Sequence, residues 1–193
     1  MRIAFLASHN GSSARAITQA CDREDLKANP AVLISNNPES NALKWARDEK
    51  LKTYCLNDKN IQDPDREIAN ILEDHKIDLV VCSGYMKLIG PETISAMKGK
   101  ILNIHPALLP KYGGKGMYGA RVHRAVRESG ETQTGITIHL VDGEYDHGKV
   151  LSQKTLPVLP ADTAEDIQAR VQAHEPDFYI ETLQKILAGE ILL

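Results

Sequence analysis

Short, unbroken apolar runs that alternate with amphipathic segments most constrain what this chain can fold into. A strand with one face in solvent alternates apolar and polar residues, whereas these runs are apolar throughout, so they predict parallel strands buried on both faces. Five such runs occur in the first 104 residues: Ile3–Ala7, Ala31–Ile34, Thr53–Leu56, Leu79–Cys82 and Ile101–Ile104.

Helical patterns separate these runs. In one of them Ile68, Ile71 and Leu72 recur at i, i+3 and i+4 among charged residues, as on the buried face of a surface helix. Strand and helix alternation of this kind predicts right-handed βαβ units and a Rossmann-like, doubly wound, mostly parallel sheet. The predicted helices are Ala14–Cys21, Asn41–Glu49, Asp65–Asp74 and Pro91–Met97.

The second half of the chain has a different pattern. A helix over Val122–Glu128 precedes two β-rich segments, Gly135–Val141 and Gly148–Val158, joined by a polar turn. These predict antiparallel strands added to the sheet, followed by a final helix from Asp162 or Thr163 to Leu187. Because no linker or repeat interrupts the pattern, we expect a single α/β domain over residues 1–193.

Composition and charge limit which kinds of molecule this protein is expected to bind. Net charge is −3 over 193 residues and both signs are mixed along the chain, which favours neither nucleic acid nor an anionic membrane. The apolar N-terminal run is too short for a signal peptide, and the odd, dispersed cysteines predict reduced thiols. We therefore expect a cytoplasmic protein with small-molecule substrates, as a monomer or homodimer. The cysteines are Cys21, Cys55 and Cys82.

Ligands of open α/β sheets bind outside the carboxyl ends of the strands. The first such segment, Ser8–Ser13, joins a strand to a helix through small residues, which suits an anion at a helix N-terminus. It has one glycine where a dinucleotide fingerprint has three, and it lacks the Gly-Lys-Ser/Thr of a Walker loop. Two readings remain: a plain turn with Ser12 or Ser13 as helix N-cap, or a site for a single phosphate.

Asn103 and His105 stand at i and i+2 on an otherwise apolar strand. On an extended chain both side chains point to the same face, and Pro106 ends the strand there. An amide and an imidazole side by side can donate hydrogen bonds to one developing oxyanion, as acyl or formyl transfer requires. The alternative is a buried Asn–His pair bonded to loop carbonyls, and the residues alone leave both open.

The turn between the last two strands offers acids that can reach back to His105 and favour its imidazolium form. The candidates are Asp142, Glu144 and Asp146, and the sequence does not choose among them. A calcium loop is excluded, because His147 and Gln153 stand where glycine and glutamate are needed. No Gly-x-Ser-x-Gly elbow and no His-Glu-x-x-His spacing occurs, so we expect neither a serine hydrolase nor a metal.

Four segments together resemble the folate-dependent formyltransferases. The resemblance runs from about Ile3 to Leu187 and is closest to members whose acceptor is glycinamide ribonucleotide, in purine synthesis. It implies transfer of a formyl group from 10-formyltetrahydrofolate to that amine through a tetrahedral intermediate. The segments are Asn103-Ile104-His105-Pro106-Ala107-Leu108-Leu109-Pro110-Lys111-Tyr112, Glu144-Tyr145-Asp146-His147-Gly148, Ser8–Ser13 and Ser83-Gly84-Tyr85-Met86-Lys87-Leu88.

The resemblance also implies residue roles. Asn103 and His105 would hold the formyl oxygen, while Asp146 would partner His105 and help move the proton of the attacking amine. The positions that would bind the ribonucleotide are Gly11, Ser12, Ser13, Gly84, Gln172 and Glu175. The positions that would border the folate are Met86, Lys87, Leu88, Val141 and the backbone around Glu144.

The chain departs from the family pattern at three places. Ser13 stands where asparagine is common, which weakens one expected phosphate contact but keeps a hydroxyl donor. Lys87 stands where arginine is frequent, so planar stacking on the folate is lost. The segment 112–119 is longer than the usual Pro-Gly turn and has four glycines in its last seven residues, which suggests a flap that closes over a substrate.

Related folate-dependent activities differ from this one in domain content or in acceptor. Formyltetrahydrofolate hydrolases carry an N-terminal regulatory domain, and methionyl-tRNA formyltransferases carry a C-terminal tRNA-binding domain; neither is expected in 193 residues. Formyltransferases acting on amino-sugar nucleotides share the Asn-x-His and Asp groups and are the main alternative. A non-catalytic nucleotide-binding module is disfavoured, because mere binding needs no oxyanion donors.

Overall fold

The computed structural model describes all 193 residues and contains seven strands and six helices. The strands are β1 (Arg2–Leu6), β2 (Asn29–Ser35), β3 (Lys52–Cys55), β4 (Leu79–Cys82), β5 (Ile101–His105), β6 (Gln133–Leu140) and β7 (Val150–Pro157). The helices are α1 (Ser12–Asp22), α2 (Asn41–Asp48), α3 (Pro64–Asp74), α4 (Pro91–Ala96), α5 (Ala120–Glu128) and α6 (Ala164–Leu187).

The strands form one sheet in the order β3-β2-β1-β4-β5-β6-β7. β1 pairs in parallel with β2 and β4, β2 with β3, and β4 with β5. β6 and β7 pair antiparallel. These pairings confirm the predicted α/β class, with a mostly parallel sheet and antiparallel strands in the C-terminal half. Each predicted element is present, with ends that differ from the prediction by two residues or fewer.

Contacts divide the chain into two compact units, and the first comprises Met1–Leu102. All four residues of β4 and the last four of β1 are buried, which explains why their sequences carry no polar alternation. Side-chain caps from the sequence set two helix starts. Ser40 Oγ accepts the Leu43 N–H at α2, and Asp63 accepts the Arg66 N–H at α3.

The second unit, Asn103–Leu193, contains the end of β5, then α5, β6, β7 and α6. Small and polar residues alternate with apolar ones along β6, so successive side chains point to opposite faces. A bulge lies after Ile138: that residue is opposite Ser152 while His139 is opposite Val150. The polar face of β6 consists of Gly135, Thr137 and His139, and the apolar face of Ile136, Ile138 and Leu140.

Helix α6 starts with a capping box, in which Thr163 and Asp166 satisfy each other's backbone N–H groups. Just before it, the carboxylate of Asp162 accepts a hydrogen bond of 2.9 Å from Arg170 Nη2. Pro176 lies inside the helix and has no N–H, so the carbonyl of Gln172 lacks its usual donor. No helix, α6 included, has the length and apolar character needed to cross a bilayer.

Candidate active site

The loop after β1 turns into α1 through Gly11, which adopts a left-handed conformation with φ of 63°. A Cβ on Gly11 would lie 2.9 Å from the Cβ of Ala42, so both the backbone and the space require glycine. The prediction that Ser12 or Ser13 caps this helix is wrong: Gly11 is the N-cap and contributes no side-chain bond. The reason is that the left-handed glycine brings the chain directly into the helix at Ser12.

This turn leaves backbone donors free at the start of α1. The Ala14 N–H donates to Ser83 Oγ over 3.1 Å, and the Arg15 N–H donates to the Gly11 carbonyl over 3.0 Å. No hydrogen bond within the protein takes up the N–H groups of Ser12 and Ser13. Two free N–H groups at the positive end of a helix form an arrangement that attracts a phosphate.

Ser8 joins the end of β1 to the end of β4. Its N–H donates to the Gly84 carbonyl over 3.0 Å, and its Oγ accepts from the Met86 N–H over 2.8 Å. Gly84 is exposed and has φ of 71°, with open space where a Cβ would be. The structure thus brings Gly11, Ser12, Ser13 and Gly84 together in the first unit.

Three of the residues expected to border the folate, Met86, Lys87 and Leu88, follow Gly84 closely in the chain. Met86 and Leu88 expose 46% and 52% of their surface, which is unusual for large apolar side chains and suits contact with an apolar ring. Lys87 Nζ lies 3.2 Å from Asp58 Oδ2, in an exposed ion pair.

In the second unit, the end of β5 carries Asn103 and the buried His105. His105 Nε2 lies 2.8 Å from the carbonyl oxygen of Tyr112. A carbonyl only accepts hydrogen bonds, so Nε2 carries the proton and Nδ1 is the nitrogen left for chemistry. Tyr112 itself is held in a left-handed conformation, with φ of 58°, while its hydroxyl donates to Glu131 over 3.0 Å.

Asp146 is the acid that faces this nitrogen. Its Oδ2 lies 3.4 Å from His105 Nδ1 and accepts the Gly114 N–H over 3.0 Å. Burial acts to raise the pKa of Asp146, but the His105 ring and the Gly114 N–H outweigh it, so the pKa lies well below its usual value. The carboxylate is therefore ionised at neutral pH.

The other two acids of the turn, Asp142 and Glu144, form no ion pair with His105. Burial acts to raise the pKa of Asp142, but the contact with His147 across 3.0 Å and the hydrogen bond from the Glu144 N–H together outweigh it, so this pKa is lowered. Glu144 is exposed and Val141 is half-buried, both at the start of this turn. Of the three acids left open by the sequence, only Asp146 lies within an ion-pair distance of His105.

His139 belongs to the site, although the sequence prediction did not include it. Its Nδ1 lies 2.8 Å from the Leu140 carbonyl, its Nε2 3.1 Å from Asn103 Nδ2, and it is almost fully buried. Nδ1 must therefore donate, which leaves Nε2 to accept a hydrogen bond from the Asn103 amide. Nε2 also lies 3.5 Å from Asp146 Oδ1, so the ring touches two of the three predicted catalytic residues.

Helix α6 presents two further predicted residues. Gln172 is exposed and Glu175 is half-buried three residues on, which places them on the same side of the helix. Burial raises the pKa of Glu175 to about 6, and the nearby His105 partly offsets this effect. Burial and His105 also lower the pKa of the neighbouring His123 to about 4, and His123 Nδ1 has no hydrogen-bond partner.

No group of three or more His, Cys, Asp or Glu residues is arranged to hold a metal ion. What the second unit holds together is an amide donor, an imidazole and an ionised carboxylate at the end of a strand. In an α/β fold, such groups suit an enzyme that stabilises an oxyanion and moves a proton, as acyl or formyl transfer requires. The sequence model described as formyl transferase matches residues 1–183. The chain belongs to the formyl transferase family.

Individual relatives carry a more specific name. A chloroplastic phosphoribosylglycinamide formyltransferase of Vigna unguiculata is 37% identical over 99% of this chain, which spans 62% of that relative's length. A phosphoribosylglycinamide formyltransferase of Haemophilus influenzae is 34% identical over 100% of this chain and 90% of its own. Glycinamide ribonucleotide transformylase 1 of Symbiobacterium toebii superposes with a TM-score of 0.91 at 30% identity, covering 100% of this chain and 90% of that one.

Proposed function

We propose that this protein transfers a formyl group from 10-formyltetrahydrofolate to the amine of glycinamide ribonucleotide, a step of purine biosynthesis. The names of the relatives support this acceptor. The observation that carries the chemistry is the contact between His105 Nδ1 and Asp146 Oδ2, beside an Asn103 amide whose orientation is fixed by His139.

Attack of the neutral amine on the formyl carbon forms the new C–N bond and moves the carbonyl electron pair onto oxygen. Asn103 Nδ2 has a second N–H beyond the one donated to His139, and this N–H is available to the oxyanion. His105 in its imidazolium form adds Nδ1–H as a second donor, since Nε2 is already taken by Tyr112. Two donors at one oxygen stabilise the tetrahedral intermediate.

The proton of the attacking amine needs an acceptor. Attack turns the amine into a positively charged and strongly acidic nitrogen, so a carboxylate with a low pKa is basic enough to receive its proton. Asp146 is ionised and lies between His105 and His139. At this position it accepts the proton of the amine nitrogen directly or through water. Collapse of the intermediate returns a proton to the departing folate nitrogen and leaves the formylated amine.

We assign binding of the ribonucleotide phosphate to the free N–H groups of Ser12 and Ser13, with Gly11 and the backbone of Gly84 allowing close approach. Gln172 and Glu175 on α6 are assigned to the rest of the ribonucleotide. The fit for the folate rests on the exposed apolar side chains of the segment Met86, Lys87 and Leu88, together with Val141 and the backbone of Glu144.

We also propose that residues 1–193 form one formyltransferase domain, with the phosphate site of the ribonucleotide in the N-terminal half and the catalytic residues and part of the folate site in the C-terminal half. Each substrate also draws on the other half, the ribonucleotide through Gln172 and Glu175 and the folate through Met86, Lys87 and Leu88. An amino-sugar nucleotide as acceptor is not favoured, because the relatives are named for glycinamide ribonucleotide. A cytoplasmic location and a monomeric or homodimeric state stay predictions.

The test is a formyl-transfer assay with 10-formyltetrahydrofolate and several amines, among them glycinamide ribonucleotide and an amino-sugar nucleotide. We expect rapid transfer to the first; transfer only to the second overturns the assignment. His105→Ala and Asp146→Asn should each lower kcat by about 10²- to 10⁴-fold while KM changes little. Loss of substrate binding to the same degree as kcat would mean that these residues have structural roles instead.

A further inference from the structure

We propose that Thr137 is a positioning residue for His105: its hydroxyl, together with the amide of Gln153, fixes the backbone after β5 so that the imidazole is held with Nδ1 facing the reaction. This inference rests on the proposed function, since it assigns Thr137 a part in that reaction. The hydrogen bonds of both residues go to Ala107, Leu109 and each other, so both act through the segment 106–112.

The Thr137 hydroxyl uses its full hydrogen-bonding capacity. It donates to the Ala107 carbonyl over 2.7 Å, and it accepts from the Leu109 N–H over 3.1 Å and from Gln153 Nε2 over 2.9 Å. A hydroxyl has one proton and two lone pairs, so no further bond is possible. Thr137 is fully buried, and a replacement without a hydroxyl would leave the Ala107 carbonyl and Leu109 N–H without these partners.

Gln153 closes the arrangement from the neighbouring strand. It lies directly opposite Thr137 in the pairing of β6 with β7. Its Nε2 also donates to the Leu109 carbonyl over 3.0 Å. Leu109 is therefore held through both its N–H and its carbonyl, by two different side chains.

The hydrogen bonds of Thr137 and Gln153 to Ala107 and Leu109, called the clasp below, lie midway between the two points that fix the His105 ring. Ala107 is two residues after His105, whose backbone sets where the ring begins. Leu109 is three residues before Tyr112, whose carbonyl holds Nε2. A shift of the backbone at Ala107 and Leu109 therefore moves both the His105 backbone and the Tyr112 carbonyl that binds its ring. Displacement of a catalytic group by about 1 Å is enough to cost about 100-fold in rate.

The face of β6 around Thr137 is shaped for this close contact. A Cβ at Gly135 would lie 2.5 Å from Leu108 Cδ2 and 2.2 Å from the Lys154 carbonyl. The residue two positions before Thr137 thus has no side chain, and the loop packs against bare backbone there. The residue two positions after it, His139, holds the Asn103 amide. One strand face therefore supports both oxyanion donors.

The chain offers a matched control on the same strand. Thr134 is also buried, but its hydroxyl has no hydrogen-bond partner. Thr134→Val and Thr137→Val make the same chemical change at the same depth. Only the second removes bonds to the segment after His105.

The experiment measures kcat and KM per folded molecule for Thr137→Val, Thr137→Ser, Thr134→Val and Gln153→Met. We expect Thr137→Val to lower kcat by about 10- to 100-fold with KM within about threefold, and Thr137→Ser to restore most of it. Thr134→Val should match the wild type. Gln153→Met, at an exposed position, should lower kcat less than Thr137→Val, because the bonds of Thr137 to Ala107 and Leu109 remain.

A wild-type kcat in Thr137→Val overturns the proposal, as does failure of Thr137→Ser to restore activity. The ring nitrogens of His105, observed by ¹⁵N NMR and assigned with His105→Ala, give a readout that needs no turnover. In the wild type the Nε2 signal should be that of a protonated nitrogen hydrogen-bonded to the Tyr112 carbonyl, and in Gln153→Met or Thr137→Val it should shift as this hydrogen bond weakens. If the wild type formylates no amine, the proposed function fails, and these ring signals still decide whether the clasp positions His105.

Discussion

The amide nitrogen of Asn103 lies 3.1 Å from Nε2 of His139, whose other nitrogen is held by the Leu140 carbonyl. Because the carbonyl fixes the proton on Nδ1, the ring accepts from the amide and sets which way Asn103 points. The imidazole thus determines that the amide presents its remaining N–H, rather than its oxygen, to the substrate.

His139→Phe keeps much of the ring volume and removes the acceptor. We expect kcat to fall by about 10²-fold, as for loss of an oxyanion donor, with substrate KM nearly unchanged. Steady-state kinetics with both substrates would check this. A His139→Phe enzyme with wild-type kcat would show that Asn103 needs no help in orienting its amide.

Gly11 and Gly99 give a matched pair for testing the phosphate loop. Both have positive φ, 63° and 71°, so an alanine at either position carries similar backbone strain of about 1 kcal/mol. Only at Gly11 would the new methyl also overlap Ala42. Gly11→Ala should raise KM for glycinamide ribonucleotide by about tenfold or more, while Gly99→Ala lowers stability alone. Equal KM values in the two variants would remove Gly11 from the phosphate site.

Glu175 makes the stability of the ligand-free enzyme depend on pH. Its folded pKa is raised from 4.5 to about 6, so below pH 4.5 both folded and unfolded states are protonated and no penalty arises. As pH rises from 4.5 to 6, only the unfolded state ionises, and folding loses up to about 2 kcal/mol. Glu175→Gln should therefore be more stable than the wild type above pH 6 and equal to it near pH 4. Denaturant unfolding at several pH values measures this difference, and a constant one would contradict it.

Asp162 has the opposite dependence. The hydrogen bond from Arg170 lowers its pKa from 3.8 to about 2. Its stabilising contribution is fully present above pH 4 and is lost as pH falls through the folded pKa. Asp162→Asn should thus be destabilised at pH 7, and the difference from wild type should vanish toward pH 2. Asp25→Asn, at an exposed pair with Arg23, is the control and should change stability little at any pH.

The fold was predictable because apolar runs and helix patterns are local. Asn103 and His105 were recognisable for the same reason, as polar residues at i and i+2 on an apolar strand. The choice of Asp146 over Asp142 and Glu144 was not, since it depends on how the turn folds back and on the left-handed backbone at Asp146, with φ of 57°. Only the family resemblance pointed to it.

The sequence prediction left His139 out of the catalytic set and did not include Thr137, although a signal for both exists. The sequence Gly135-Ile136-Thr137-Ile138-His139-Leu140 alternates small or polar residues with apolar ones, which marks a strand with one polar face. Its burial on both faces means that the polar residues must find partners inside the protein. What the sequence could not supply is the identity of those partners, because the loop after β5 is brought to β6 only by tertiary structure.

The alternation along β6 also limits how this protein can change over time. A single residue inserted or deleted between Gln133 and Gly135 would exchange the two faces of the strand. Ile136, Ile138 and Leu140 would then occupy the positions that hold the Asn103 amide and the loop after His105. Substitutions at many surface positions leave the fold intact. Insertion or deletion of one codon here, by contrast, removes at once the side chains that position Asn103 and His105. Selection should therefore constrain the length of β6 more strongly than the identity of most of its residues.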